Sequence, residues 1–194
     1  MRSALRLASL SLSCIPCACA STPAAVPPEQ AAPKIVALLD AGKSGDADEL
    51  FAAEEREPSV RDGLYPLLYE QARGRFERGE TTGAAAILRF MARAYPKSIA
   101  VREALVYALF VERAGSAQPP PELVQEMGTV IATLEGADVP PWVELARAQE
   151  AIDGGKPGTA REALARFQRA NTDSTPEIVL YAEDIERYLQ TQPR

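Results

Sequence analysis

YPLLYEQARGRFERGETTGAAAILRFMARAYP, Tyr65 to Pro96, decides how this chain is built. Leu67, Leu68, Ala72 and Phe76 lie before a break in this stretch, and Ala84, Ile87, Leu88, Met91 and Ala94 lie after it. Residues three and four apart share a face of an α-helix, so each half presents an apolar stripe. Between the halves, Arg78-Gly79-Glu80-Thr81-Thr82 contains a helix-stopping glycine, and Tyr95-Pro96 closes the second half. The stretch reads as two amphipathic helices joined by a tight turn, with small residues where they touch.

The same arrangement continues on both sides. Upstream, a helix begins at Lys34 with Ile35, Leu38 and Leu39, and Gly42-Lys43-Ser44-Gly45 breaks it. Asp46 caps the next helix with Glu49 three residues on, as in a capping box, and Ala47, Leu50 and Phe51 form its stripe until Pro58. Ser59, with Asp62, starts the helix that runs into the stretch above. Downstream, Ser98 opens a helix through Ala104, Leu105, Ala108 and Val111 to Gly115. Pro119-Pro120-Pro121 leads into Leu123, Met127, Val130, Ile131 and Leu134. Pro140-Pro141 leads into Trp142, Leu145, Ala148 and Ile152, closed by Gly154-Gly155. Thr159 and Glu162 form another capping box before Ala160, Leu164 and Phe167. Thr175-Pro176 starts a last helix carrying Ile178, Tyr181, Ala182, Ile185 and Leu189. No segment alternates as a half-buried strand would, so the fold class is all-α.

The hairpins superpose in sequence. Adding 76 to Ala72, Phe76, Gly79, Ala84, Leu88 and Met91 gives Ala148, Ile152, Gly155, Ala160, Leu164 and Phe167. Subtracting 37 gives Ile35, Leu39, Gly42, Ala47, Phe51 and Glu54. A middle hairpin fits between, matching at Ala108 and Gly115. Pro120 stands there in place of the expected alanine, so its second helix is displaced or longer.

Ala72, Gly79, Ala84, Leu88 and Pro96 follow the order of small residue, glycine, alanine, large residue and proline that resembles the tetratricopeptide repeat. The spacing here exceeds that family's roughly 34 residues, Arg75 stands where the family has an aromatic, and one hairpin alone keeps the proline in register. The resemblance implies a right-handed α-solenoid of antiparallel hairpins over residues 34–172, with the final helix as a cap presenting Glu183, Asp184, Glu186, Arg187 and Gln190 to solvent. It also implies a groove lined by the first helix of each hairpin. Matched residue by residue, the first contribution is Tyr69, Arg73 and Glu77. The next is Arg102, Leu105, Leu109, Glu112 and Arg113, and the last is Trp142, Leu145, Gln149 and Asp153. Tyr69, Arg73, Arg102, Leu109, Arg113, Trp142 and Gln149 are the partner-binding candidates. The three arginines suit a carboxylate or an acidic peptide. Alternatively, they balance Glu70, Glu77, Glu103 and Glu112 at helical spacing.

The 194 residues are 46% hydrophobic, much of it alanine, which provides a core for one helical domain. Arg2 and Arg6, the apolar run Leu7 to Ile15 and the small residues Ala18-Cys19-Ala20 read as a secretory leader over residues 1–20. Ala18-Cys19-Ala20-Ser21 resembles the processing site of bacterial lipoproteins, which implies lipidation at Cys19; Pro16 stands where that family usually has leucine. Cleavage after Ala20 is the alternative. Export places the chain in the periplasm, as a membrane-anchored lipoprotein or a soluble domain. The Pro/Ala-rich Ser21 to Pro33 reads as an extended spacer.

All three cysteines fall in the leader and there is no histidine, so the body offers no thiolate, imidazole or transition-metal set. Without Arg2 and Arg6, 19 basic side chains face 27 acidic ones, a poor match for nucleic acid. No cofactor is expected, and membrane contact is expected through lipid alone. Ala37-x4-Gly42-Lys43-Ser44 is a fragment of a phosphate-binding loop without its first glycine or preceding strand, and reads better as a turn. The acidic run from Asp46 to Glu57 lacks the spacing of a calcium loop and reads as a solvated helix face. These features suggest a non-catalytic scaffold for a protein or peptide of the cell envelope; the alternative is a wall-active hydrolase using paired carboxylates.

Overall fold

The computed structural model describes residues 26–54, 58–170 and 175–192. The leader and Cys19, with residues 21–25 of the expected spacer, lie outside these residues. Every regular element among the described residues is an α-helix: α1 (Pro28–Asp40), α2 (Ser44–Glu54), α3 (Pro58–Glu77), α4 (Thr81–Ala94), α5 (Ile99–Ala114), α6 (Pro121–Ala132), α7 (Val143–Asp153), α8 (Pro157–Ala170) and α9 (Pro176–Gln190). None of them is long and apolar enough to cross a membrane.

Three of the turns are one turn repeated. Gly42, Gly79 and Gly155 have φ of 71°, 76° and 68°. At each, the glycine N–H bonds the carbonyl three residues back: Leu39, Phe76 and Ile152. The following N–H bonds the carbonyl five residues back: Leu38 for Lys43, Arg75 for Glu80 and Ala151 for Lys156. This pair of bonds satisfies the orphan carbonyls of a helix end and needs a left-handed residue, which glycine adopts without a Cβ penalty. The spacing of 37 and 76 residues is thus a spacing of identical backbone turns. Gly42-Lys43-Ser44 is such a turn rather than a phosphate loop. Gly115 differs, with φ −73°. Without the left-handed turn α5 runs into a longer connection, and α6 starts at Pro121. A fourth positive-φ glycine, Gly136, follows α6.

The alanines behind these turns are where the helices meet. Ala47, Ala84 and Ala160 are at 0% exposure in α2, α4 and α8. Ala72 and Ala148 are buried opposite them in α3 and α7. Phe51, Leu88 and Leu164, one turn on, are buried as well. A methyl at the crossing point lets helices approach to the short end of the roughly 8–10 Å range. α1 packs on α2, α3 on α4 and α7 on α8, and α4, α5, α6 and α7 pack in succession. First helices also meet one another: α1 with α3, α5 with α7, α7 with α9.

Some boundaries differ from expectation. α1 begins at Pro28, six residues before Lys34, so residues 28–33 are helical rather than extended spacer. Proline fits the first helical positions because its missing N–H would be unsatisfied there anyway. Ala31 at 0% and Ala32 at 2% exposure bury against the core, an apolar gain that composition alone conceals. Gly63 of α3 makes room for this contact: a Cβ there would lie 2.7 Å from Cγ of Pro28. α2 and α8 start at Ser44 and Pro157, two residues before the expected caps Asp46 and Thr159. Thr175 occupies the N-cap of α9, but its hydroxyl makes no capping bond. The polar residues expected on α9 are exposed, accompanied by Leu180 at 60% and Tyr188 at 46% exposure.

Arginine forks tie each hairpin to the next. Arg75 of α3 grips Asp40 of α1 at 2.5 and 2.6 Å. Arg93 of α4 reaches Asp48 of α2 at 3.0 Å. Arg89 of α4 grips Glu126 of α6 at 2.7 Å through both nitrogens. Arg113 of α5 grips Asp153 of α7 at 2.6 and 2.8 Å. The exposed pair Arg93–Asp48 contributes little, about 0–1 kcal/mol; Arg75, Arg89 and Arg113 are partly buried, and their bidentate geometry fixes the register between hairpins.

Candidate functional site

The start of α5 meets α3 about two turns into that helix, with the hydroxyls of Tyr65 and Ser98 2.9 Å apart. Ser98 also caps α5, accepting from the Val101 amide at 3.3 Å. Beyond that point the two backbones do not pack closely. Phe76 and Tyr107 stand between them, ring centroids 5.1 Å apart. The gap is an apolar cleft of about 180 Å³, walled by Tyr69, Ala72 and Phe76 on one side and Ala104 and Tyr107 on the other, with Leu88 of α4 as its floor. Tyr69, Phe76 and Tyr107 are half-buried, each showing an apolar body to the opening. On its other side Tyr107 meets Trp142 edge to face at 5.1 Å, carrying the aromatic surface to the start of α7. Small-molecule pockets span roughly 300–1,000 Å³. This cleft is smaller, the size of a single bulky side chain.

The charges around it are uneven. Arg73 and Glu77 border the cleft. Arg73 is held by Glu70 at 2.6 Å and Glu77 at 3.8 Å on its own helix. Glu103, one turn before Tyr107, has its carboxyl raised above the ordinary range by burial and then by the charge of Asp138. Burial raises the Tyr69 phenol, with further contributions from Tyr65 and Glu103. Neither Glu103 nor Asp138 is met by a cation among the described residues.

The candidate residues separate into three groups. Tyr69 and Arg73 line the cleft, and Trp142 borders it through Tyr107. Leu109, at 0% exposure, is core, as are Leu105 and Leu145. The expectation that Leu109 faces a groove is therefore corrected: α5 packs on α4, α6 and α7, and those neighbours cover it. Gln149 is 6% exposed and donates to Asp153 Oδ1 at 2.9 Å. It accepts from the Tyr181 hydroxyl of α9 at 2.7 Å. Arg113 joins the same network through Asp153. The Tyr181 phenol is pushed up to about 12, mainly by burial. This network ties α9 to α5 and α7, and Gln149 and Arg113 line a second cavity of about 350 Å³ beside Tyr181, away from the α3–α5 cleft.

Nor do the three arginines converge. Arg73 stays with glutamates of its own helix, Arg113 crosses to Asp153, and Arg102 donates to the backbone carbonyls of Pro96 and Thr133. They do not form one clamp, and Arg73 balances Glu70 and Glu77 as the alternative reading has it.

Phe76, Ala104, Leu88 and Tyr107 line the cleft without having been among the candidates. Three of them read only as apolar stripe, which a cleft wall also is. Tyr107 carried a signal: within the run Ala104-Leu105-Val106-Tyr107-Ala108-Leu109, a tyrosine marks a position with an apolar body and a wet tip.

Among the described residues the protein is all-α, with consecutive helices packed on one another and a small aromatic cleft between α3 and α5. No family model matches the chain, and no curated protein or solved structure is similar to it.

Proposed function

We propose that the chain is a non-catalytic scaffold that captures a protein or peptide of the bacterial cell envelope in the α3–α5 cleft. Its hairpins form a tetratricopeptide-like right-handed α-solenoid, exported by the leader and held at a membrane by lipid on Cys19. The observation that carries the binding role is the cleft itself: three half-buried aromatic side chains around a gap of one side chain's volume. Aromatic anchors and pockets of this size are where binding energy concentrates at protein interfaces. The recurrence of the Gly42, Gly79 and Gly155 turns supports the solenoid.

A cleft-filling substitution, Ala104→Phe, tests the scaffold: the partner recovered with wild type is lost while the helical circular dichroism is kept. Recovery unchanged by a folded Ala104→Phe protein refutes the role of the cleft. The hydrolase alternative can draw on Glu103 and Asp138, since the charge of Asp138 helps raise Glu103. It requires turnover on cell-wall material that Glu103→Gln abolishes. Palmitate incorporation into wild type but not Cys19→Ala tests the anchor; label on neither removes it.

A further inference from the structure

We infer that the occupant of the α3–α5 cleft is a segment with one bulky apolar side chain and a lysine or arginine within a turn of it, an inference that rests on the cleft being a peptide site. The cleft dictates the apolar part. Its volume of about 180 Å³ and its lining of Tyr69, Phe76, Leu88 and Tyr107 accept a Leu, Met or Phe side chain.

The surroundings dictate the charge. Glu77 and Arg73 line the cleft, Glu70 and Glu77 already bracket Arg73, and Glu103, which acts on the Tyr69 phenol of the cleft wall, is itself acted on by Asp138. The nearby Arg102 is occupied with the carbonyls of Pro96 and Thr133. Glu103 and Asp138 repel one another with no cation among the described residues paired to either, and a docked ammonium or guanidinium relieves that repulsion. An acidic segment would add to it. Complementary charge also speeds encounter and rejects wrong partners, which suits a chain with 27 acidic residues. The occupant is therefore opposite in charge to the acidic peptide that the three arginines suggested.

Panning a displayed random-peptide library on the full chain, followed by fluorescence anisotropy with the enriched peptides, tests this. The expected result is enrichment of an apolar residue flanked by Lys or Arg. Binding falls at least tenfold in the Glu103→Gln/Asp138→Asn double variant and is lost in Ala104→Phe. Tyr107→Ala serves as a second cleft variant if Ala104→Phe does not fold. Enrichment of acidic or uncharged peptides that still depend on Ala104 overturns the charge inference and leaves the peptide site standing. No enrichment, or peptides indifferent to both cleft variants, overturns the site and the inference together.

Discussion

Phe76 of α3 and Tyr107 of α5 meet ring to ring at 5.1 Å, and the two helices that carry them stay apart. The pair acts as a spacer as well as a wall. Tyr107→Ala therefore loses both the contact with Phe76 and the one with Trp142. Each aromatic pair contributes about 0.5–1.5 kcal/mol beyond area burial, so denaturant unfolding is expected to show a loss of about 1–3 kcal/mol. Tyr107→Phe keeps both rings and is expected within about 0.5 kcal/mol of wild type.

Gly79 and Gly115 look alike in sequence and differ in backbone. Gly79 has φ 76°, and a Cβ there would meet nothing within 4 Å, so Gly79→Ala costs only the left-handed conformation, roughly 1–2 kcal/mol. Gly115 has φ −73°, and a Cβ would make ordinary contacts at 3.6 Å. Gly115→Ala is expected to be neutral or to stabilise by up to about 1 kcal/mol. Equal losses at the two positions would contradict the repeated turn.

This difference shows what the sequence could and could not convey. The hairpins, their glycines and their buried alanines are legible because helix periodicity and a left-handed glycine act locally. The start of α1 is not, because Ala31 and Ala32 become core only when α1 packs on α2, α3 and α4, farther along the chain. The arginines mislead for the same reason. Arg75, Arg93 and Arg113 have no carboxylate three or four residues away, and each pairs with one 35 to 45 residues away on another hairpin. Tyr69 and Arg73 were readable as residues of an accessible helix face, and both line the cleft; Leu109 was not readable as core, since what covers it is α5's own packing partners.

Gly63 tests the unexpected start of α1. A Cβ at this position would sit 2.7 Å from Cγ of Pro28. Gly63→Ala should displace the first turn of α1 or cost about 1–3 kcal/mol by overpacking. Gly45, in α2 with open space around it, is the control: Gly45→Ala is expected to stabilise by roughly 0.5–1 kcal/mol. Thermal melts of the two variants suffice.

The two pH limits have different origins. Arg75 hydrogen bonds hold the Asp40 carboxyl below its ordinary range. That stabilisation is present above about pH 4, near the unfolded carboxyl's value, and is lost as pH falls further. Asp40→Asn should flatten the acid side of the stability curve. Tyr181 behaves in the opposite sense: its raised phenol keeps the fold complete below about pH 10, and stability declines as pH rises toward about 12. Tyr181→Phe loses the bond to Gln149, so it melts lower at pH 7, and its gap from wild type should narrow by pH 11. A constant gap would contradict the assignment.

The cleft itself is tested most directly by a photoreactive phenylalanine derivative placed at Tyr69 or at Tyr107, and, as a control, at exposed Arg169 of α8. After illumination in the producing cells, positions 69 and 107 should yield the same discrete adduct, and position 169 none. An adduct from position 169 alone, or equal labelling at all three, would contradict docking between α3 and α5.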